Sequence, residues 1–195
     1  MKAKVTAHMG DIFEGKADLT VLPCGAKPSW SASVDRWIDT FELPTPKELM
    51  KDIQLSDVSQ PFPFPGPQNI TKYIAYGASV LNDPTTPEAI KKLGEHIGSI
   101  TKSHGDIRIV ESVLLGTGYG KLSDLLAAKS LADGFQQTAD PKATLWIFMH
   151  GSDRVAAVRK EIEGGFLQRV FDASYARIGI GGVGFDLKKY LDRRR

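Results

Sequence analysis

The chain has 195 residues and a mass of 21.3 kDa, close to the size of one domain and long enough for a full hydrophobic core. Apolar residues make up 42% of it and charged residues 25%, which excludes a wholly disordered, collagenous or coiled-coil chain. The 25 Lys and Arg stand against 23 Asp and Glu, a net charge of +2, too small a balance for non-specific nucleic-acid binding to be the main activity.

In chain order, Val5 and its neighbours open a predicted strand over residues 2–9, and Leu19–Leu22 reads as a short buried second strand. Residues 30–39 form a weaker helical candidate inside a long elaboration, residues 26–69. Eight of the eleven prolines lie between Pro44 and Pro87, and Pro61, Pro63, Pro65 and Pro67 alternate with Phe62, Phe64 and Gly66. Each proline removes an amide donor and fixes φ, so this run is neither helix nor central strand. It suits a polyproline-like ligand for the aromatic groove of a protein partner, or an extended connection pinned to the core by Phe62 and Phe64, and the second is the better reading.

A third strand is predicted over Ile70–Gly77. Thr86 and Pro87 then supply an N-cap and a proline at the first helical position, and Ile90, Leu93, Ile97 and Ile100 form one apolar stripe behind them. Strand Ile107–Leu115 runs into Gly116-Thr117-Gly118-Tyr119-Gly120. Ser123 caps the next helix, with Leu125, Leu126, Ala128, Leu131, Ala132 and Phe135 on its apolar face. After strand Ala143–Met149, Asp153 caps a helix expected to reach about Asp172, unless Gly164-Gly165 bends or ends it. A last strand, Tyr175–Ile180, and a weak helix at 185–192 close the chain. Alternating strands and helices predict a single α/β domain spanning residues 1–195, with about six strands.

Chemistry concentrates in few places. Cys24, the only cysteine, has no internal partner, and His8, His96, His104 and His150 lack the spacing of a zinc site, so neither metal nor cofactor is expected. Without a signal core or a run of about 18 apolar residues, no membrane association is expected and the protein reads as cytoplasmic. The loop Gly116–Gly120, framed by a strand and a helix, has the arrangement that suits phosphate. Glycines admit a ligand close to the backbone, successive amides can face anionic oxygens, and the helix offers its positive end. Thr117 adds a hydroxyl and Tyr119 a flat surface, while Asp124 in the first helical turn opposes a nearby phosphate. A tight turn without a ligand would use the same residues.

Gly179–Gly184 matches G-x-G-x-x-G, but only eleven residues follow it. A dinucleotide fold needs a further strand and an acidic residue about 20 positions on, so that reading fails. G-x-x-x-x-G-K-[ST] and G-x-S-x-G are both missing. The five positive charges among residues 188–195 read as a solvated terminus.

Gly10-Asp11-Ile12 after the first strand, Ala17-Asp18-Leu19-Thr20-Val21 in the second, the Gly116–Gly120 loop and the late strand Leu145-Trp146-Ile147-Phe148 together resemble a macro domain. The likeness covers roughly residues 1–25 and 70–172. It implies a three-layer α/β/α domain with a mixed sheet and a cleft for ADP-ribose or a related nucleotide. Asp11 would accept from the adenine amine, Ile12 would touch the ring through its backbone, Gly116–Gly120 would wrap the diphosphate, and Phe148 would pack beside adenine or the proximal ribose. In that family the second strand leads into N-A-A-N and a glycine-rich stretch. Here Leu22-Pro23-Cys24-Gly25 follows, so Gly25 stands where the last asparagine would, and the family's usual ADP-ribosyl hydrolysis is not expected. Cys24 as a nucleophile with His150 as its base is the alternative catalytic reading, and a small buried cysteine is the ordinary one. An interaction domain without a ligand pocket is the third possibility.

Overall fold

The structure is a computed structural model that describes residues 2–14, 16–27, 29–50, 52–67, 69–80 and 84–163. Its strands are β1 (Lys4–Met9), β2 (Ala17–Gly25), β3 (Phe62–Pro63), β4 (Thr71–Val80), β5 (Ile109–Val113) and β6 (Thr144–Met149). Its helices are α1 (Ala32–Phe41), α2 (Pro46–Leu49), α3 (Pro87–Ser103) and α4 (Asp124–Thr138), and residues 152–163 are also helical. The strand expected at Tyr175–Ile180, the Gly179–Gly184 turn, the helix at 185–192 and the end of the helix expected to reach Asp172 lie outside the described residues.

The six strands form one mixed sheet in the order β1-β6-β5-β2-β4-β3. Five are parallel, and only the edge strand β3 runs antiparallel, against β4. Parallel strands are buried on both faces, and successive side chains take opposite faces. Accordingly Leu19, Val21, Ala75, Leu145 and Ile147 pack into one core with Ile90, Leu93, Ile97, Leu131, Phe135 and Val158. Leu22, Cys24, Ile74, Tyr76 and Phe148 enter a second core with Val34 and Ile38. The sheet is thus the middle of three layers, with α3 and α4 on one face and α1 on the other.

Local chemistry sets the elements' ends. Thr86 caps α3 by accepting from the Ala89 amide at 3.2 Å, with Pro87 at the first position, as predicted. Ser123 precedes α4 but its side chain makes no capping bond. The helix after β6 begins at Ser152, one residue before the Asp153 cap expected from sequence. Its first carbonyl acceptor is Gly151, which accepts from the Val155 amide at 3.0 Å and uses φ +89° to leave the strand. Helices α3 and α4 meet at glycines: a methyl on Gly94, Gly98 or Gly134 would strike the opposing helix, at Leu131, Thr138 and Lys91 respectively.

Sequence patterning missed β3 and α2. The proline run keeps to the sheet edge, where a missing amide is tolerated. Phe62 stacks on Tyr76 at 6.2 Å and Phe64 is buried, meeting Phe13 and Phe41. Asp18 anchors β2 to the start of β5, accepting from the Arg108 and Ile109 amides at 2.8 and 2.9 Å and pairing with Lys72 at 2.6 Å. Burial alone would raise its carboxyl, but these donors hold it below the ordinary carboxylate range. Among the described residues no helix is long and apolar enough to cross a membrane.

Candidate functional site

All five parallel strands end around one cleft of about 540 Å³, within the range of small-ligand sites. Gly10 and Asp11 follow β1, Pro23–Gly25 close β2, Ser79 and Val80 close β4, Val113–Tyr119 leave β5, and Phe148–His150 leave β6. Ligands of α/β sheets gather at the carboxyl ends of strands, where loops diverge and amides are left without sheet partners.

The β5–α4 loop supplies such amides. Gly116 adopts φ +85°, and a side chain there would press on Ile90. The turn is closed from its carbonyls: Gly116 accepts from Leu122 and Gly118 from Lys121, both at 3.2 Å, and Gly120 accepts from Thr85 at 2.9 Å. Among the described residues, none of the amides from Gly116 to Gly120 donates to a backbone carbonyl outside the regular elements or to a side chain. An unpaired amide is costly unless water or a ligand meets it, and Gly116–Tyr119 line the cleft. Gly120 does not line the cleft, because it packs on Gly116 and Thr85. The Thr117 hydroxyl donates to the Leu114 carbonyl at 3.1 Å rather than standing free for a ligand. Tyr119 stands at the cleft 85% exposed, and Gly118 has open space on its side-chain side.

Asp11 and His150 lie across the cleft mouth, both largely exposed, with Oδ1 and Nε2 3.1 Å apart. Phe148 is both core and wall: it is buried, stacks on His8 at 5.4 Å and still lines the cleft. The Ile12 side chain is buried in the second core, and the contact expected of this residue is through its backbone. The Gly25 amide donates to the Ser29 carbonyl at 2.7 Å, and a Cβ on Gly25 would collide with the Ser29 hydroxyl and the Lys27 carbonyl. That tight return leaves no room for a side chain at Gly25. Cys24 reaches the cleft wall but is 4% exposed, and burial, reinforced by the Asp57 charge, pushes its thiol up to about 12. Among the described residues no hydrogen bond or ion pair joins Cys24 to His150, whose ring nitrogen meets Asp11 instead.

Arg154 escaped the sequence reading. It lines the cleft and forks onto Asp124, Nε to Oδ2 at 2.6 Å and Nη2 to Oδ1 at 2.9 Å. The charge of Asp124, expected to repel an anion at the loop, is therefore countered. The pair joins positions 30 residues apart on different helices, so no local motif announces it; only a cation one turn into the helix after β6 hinted at a role.

No family model matches the chain, and no curated protein matches it. Solved structures do. The Oceanobacillus iheyensis macrodomain with ADP superposes at a TM-score of 0.66 with 11% identity, over 83% of this chain and 91% of that one. The Trypanosoma brucei macrodomain in complex with ADP-ribose gives 0.63 with 14% identity, over 80% and 68%. The macrodomain of Mycobacterium tuberculosis DarG gives 0.59 with 16% identity, over 76% and 99%. The chain has the macrodomain fold.

Proposed function

We propose that the protein is a binding module for ADP-ribose or a closely related nucleotide, without the hydrolytic activity usual on this fold. The observation that carries this is the set of Gly116–Tyr119 amides that take no partner among the described residues outside the regular elements, in a cleft where five strand ends converge. Amides fixed in such a turn bind phosphate oxygens without reorganising. Asp11 offers a carboxylate to an exocyclic amine, and Phe148 gives the base or ribose an apolar wall. Two of the similar macrodomains are in complex with ADP and ADP-ribose, which supports the same class here.

The absence of hydrolysis rests on Gly25, whose surroundings admit no asparagine side chain to order water, and on Cys24, whose thiol is held far above neutral pH. A lone buried cysteine also fits a reducing, cytoplasmic setting. Calorimetric titration with ADP-ribose, ADP, AMP and NAD tests the binding reading: saturable heat with ADP-ribose supports it, and no heat with any of them removes it. Release of ADP-ribose from a modified protein by the wild type, lost in Cys24→Ala, would replace it with an enzyme.

A further inference from the structure

Arg154 is the only Lys or Arg among the described residues that line the cleft. It approaches from the helix after β6, on the side of His150 and Met149, and reaches Asp124 at the start of α4, directly after the glycine loop. Asp124 itself is not among the residues that line the cleft. The fork occupies Nε and Nη2, and among the described residues no hydrogen bond or ion pair engages Nη1. Holding an arginine by two of its nitrogens fixes the plane of the group and leaves the third as an oriented donor, the feature that makes arginine selective for phosphate over a neutral group. Of the other titratable groups that line the cleft, Asp11 and His150 are engaged with each other.

We infer that Arg154 is the side chain by which the cleft selects a phosphorylated nucleotide over the corresponding nucleoside. Its Nη1 donates to the diphosphate, while the loop amides bind the same group from the other side. This rests on the nucleotide reading above and adds a charged, salt-sensitive component that amides alone would not give.

Titrations of wild type, Arg154→Met and Arg154→Lys with ADP-ribose, ADP and adenosine test it. Arg154→Met should bind ADP and ADP-ribose roughly three- to tenfold more weakly, since the group is half exposed, with adenosine unchanged within about twofold. Arg154→Lys keeps the charge without the fork and should recover part of the loss. Wild-type affinity for ADP should fall between ~0.05 M and ~0.5 M salt more steeply than that of Arg154→Met. Unchanged ADP affinity in Arg154→Met, or equal losses for ADP and adenosine, would overturn the role of Arg154 and leave the nucleotide reading standing. Failure of the wild type to bind any of the three would overturn both. Retained adenosine binding and an unchanged circular dichroism melt guard against misfolding of the variant.

Discussion

Replacing Gly118 with glutamate places a carboxylate at the centre of the proposed phosphate site. A Cβ at this position meets nothing within 4 Å, and its backbone lies outside the positive-φ set, so the fold should tolerate the change. The cost to binding is then mainly electrostatic. Between unit charges about 6 Å apart in an effective dielectric near 40, repulsion is roughly 1.4 kcal/mol. A diphosphate with about two charges would suffer roughly 3 kcal/mol, about a 100-fold loss of affinity. Adenosine, without phosphate, should lose far less. Calorimetry with both ligands, beside a thermal melt, measures this. ADP-ribose affinity within threefold of wild type, in a variant that melts normally, would refute the assignment of the loop.

Three further outcomes concern the scaffold. Gly134→Ala should destabilise by about 1–3 kcal/mol by denaturant titration, because the added methyl meets the Lys91 carbonyl; this exceeds the roughly 1 kcal/mol that alanine gains in a helix. Glu111 is fully buried on β5, with one oxygen accepting from Thr20 at 2.6 Å and Phe13 at 3.2 Å and the other unpaired. Burial raises its carboxyl above the ordinary range despite those donors, so the folded state holds that proton more tightly and wild-type stability should fall as pH rises through this window. Glu111→Gln should lack the decline and gain on wild type toward neutral pH; parallel pH–stability curves would contradict this. Asp18 has the opposite sign. Its carboxyl is depressed in the folded state, so its contribution is present above the ordinary carboxylate range and lost on acidification. Asp18→Asn keeps an acceptor for the Arg108 and Ile109 amides but loses the charge that strengthens both bonds and the pairing with Lys72; it should cost about 1 kcal/mol at neutral pH and should melt with a shallower acid slope than wild type.

The parts legible in sequence are those set by local pattern. The stripe of Ile90, Leu93 and Ile97 behind Thr86-Pro87 fixes α3, and the glycine loop between strand and helix marks the cleft because backbone freedom is written in residue type. Elements held by distant partners were not legible. Strand β3 exists because Phe62 and Phe64 find Tyr76, Phe13 and Phe41 on the sheet's far face. Gly120 carries the expected residue type but turns into the loop's own packing. The Arg154–Asp124 pair and the buried Glu111 depend on pairing across 30 and 91 residues, which no window of sequence contains. Asp11 and Cys24 illustrate the limit of type alone: one stands exposed at the cleft mouth beside His150, the other is buried, with its thiol pushed up to about 12.

Amide spectra of the labelled protein titrated with ADP-ribose test whether a nucleotide's phosphates sit on the amides of the β5–α4 loop. Saturable shifts are expected at Thr117, Gly118 and Tyr119, with a second group at Asp11 and Phe148. Saturable shifts confined to other surfaces, or no shifts at millimolar ligand, would contradict that placement.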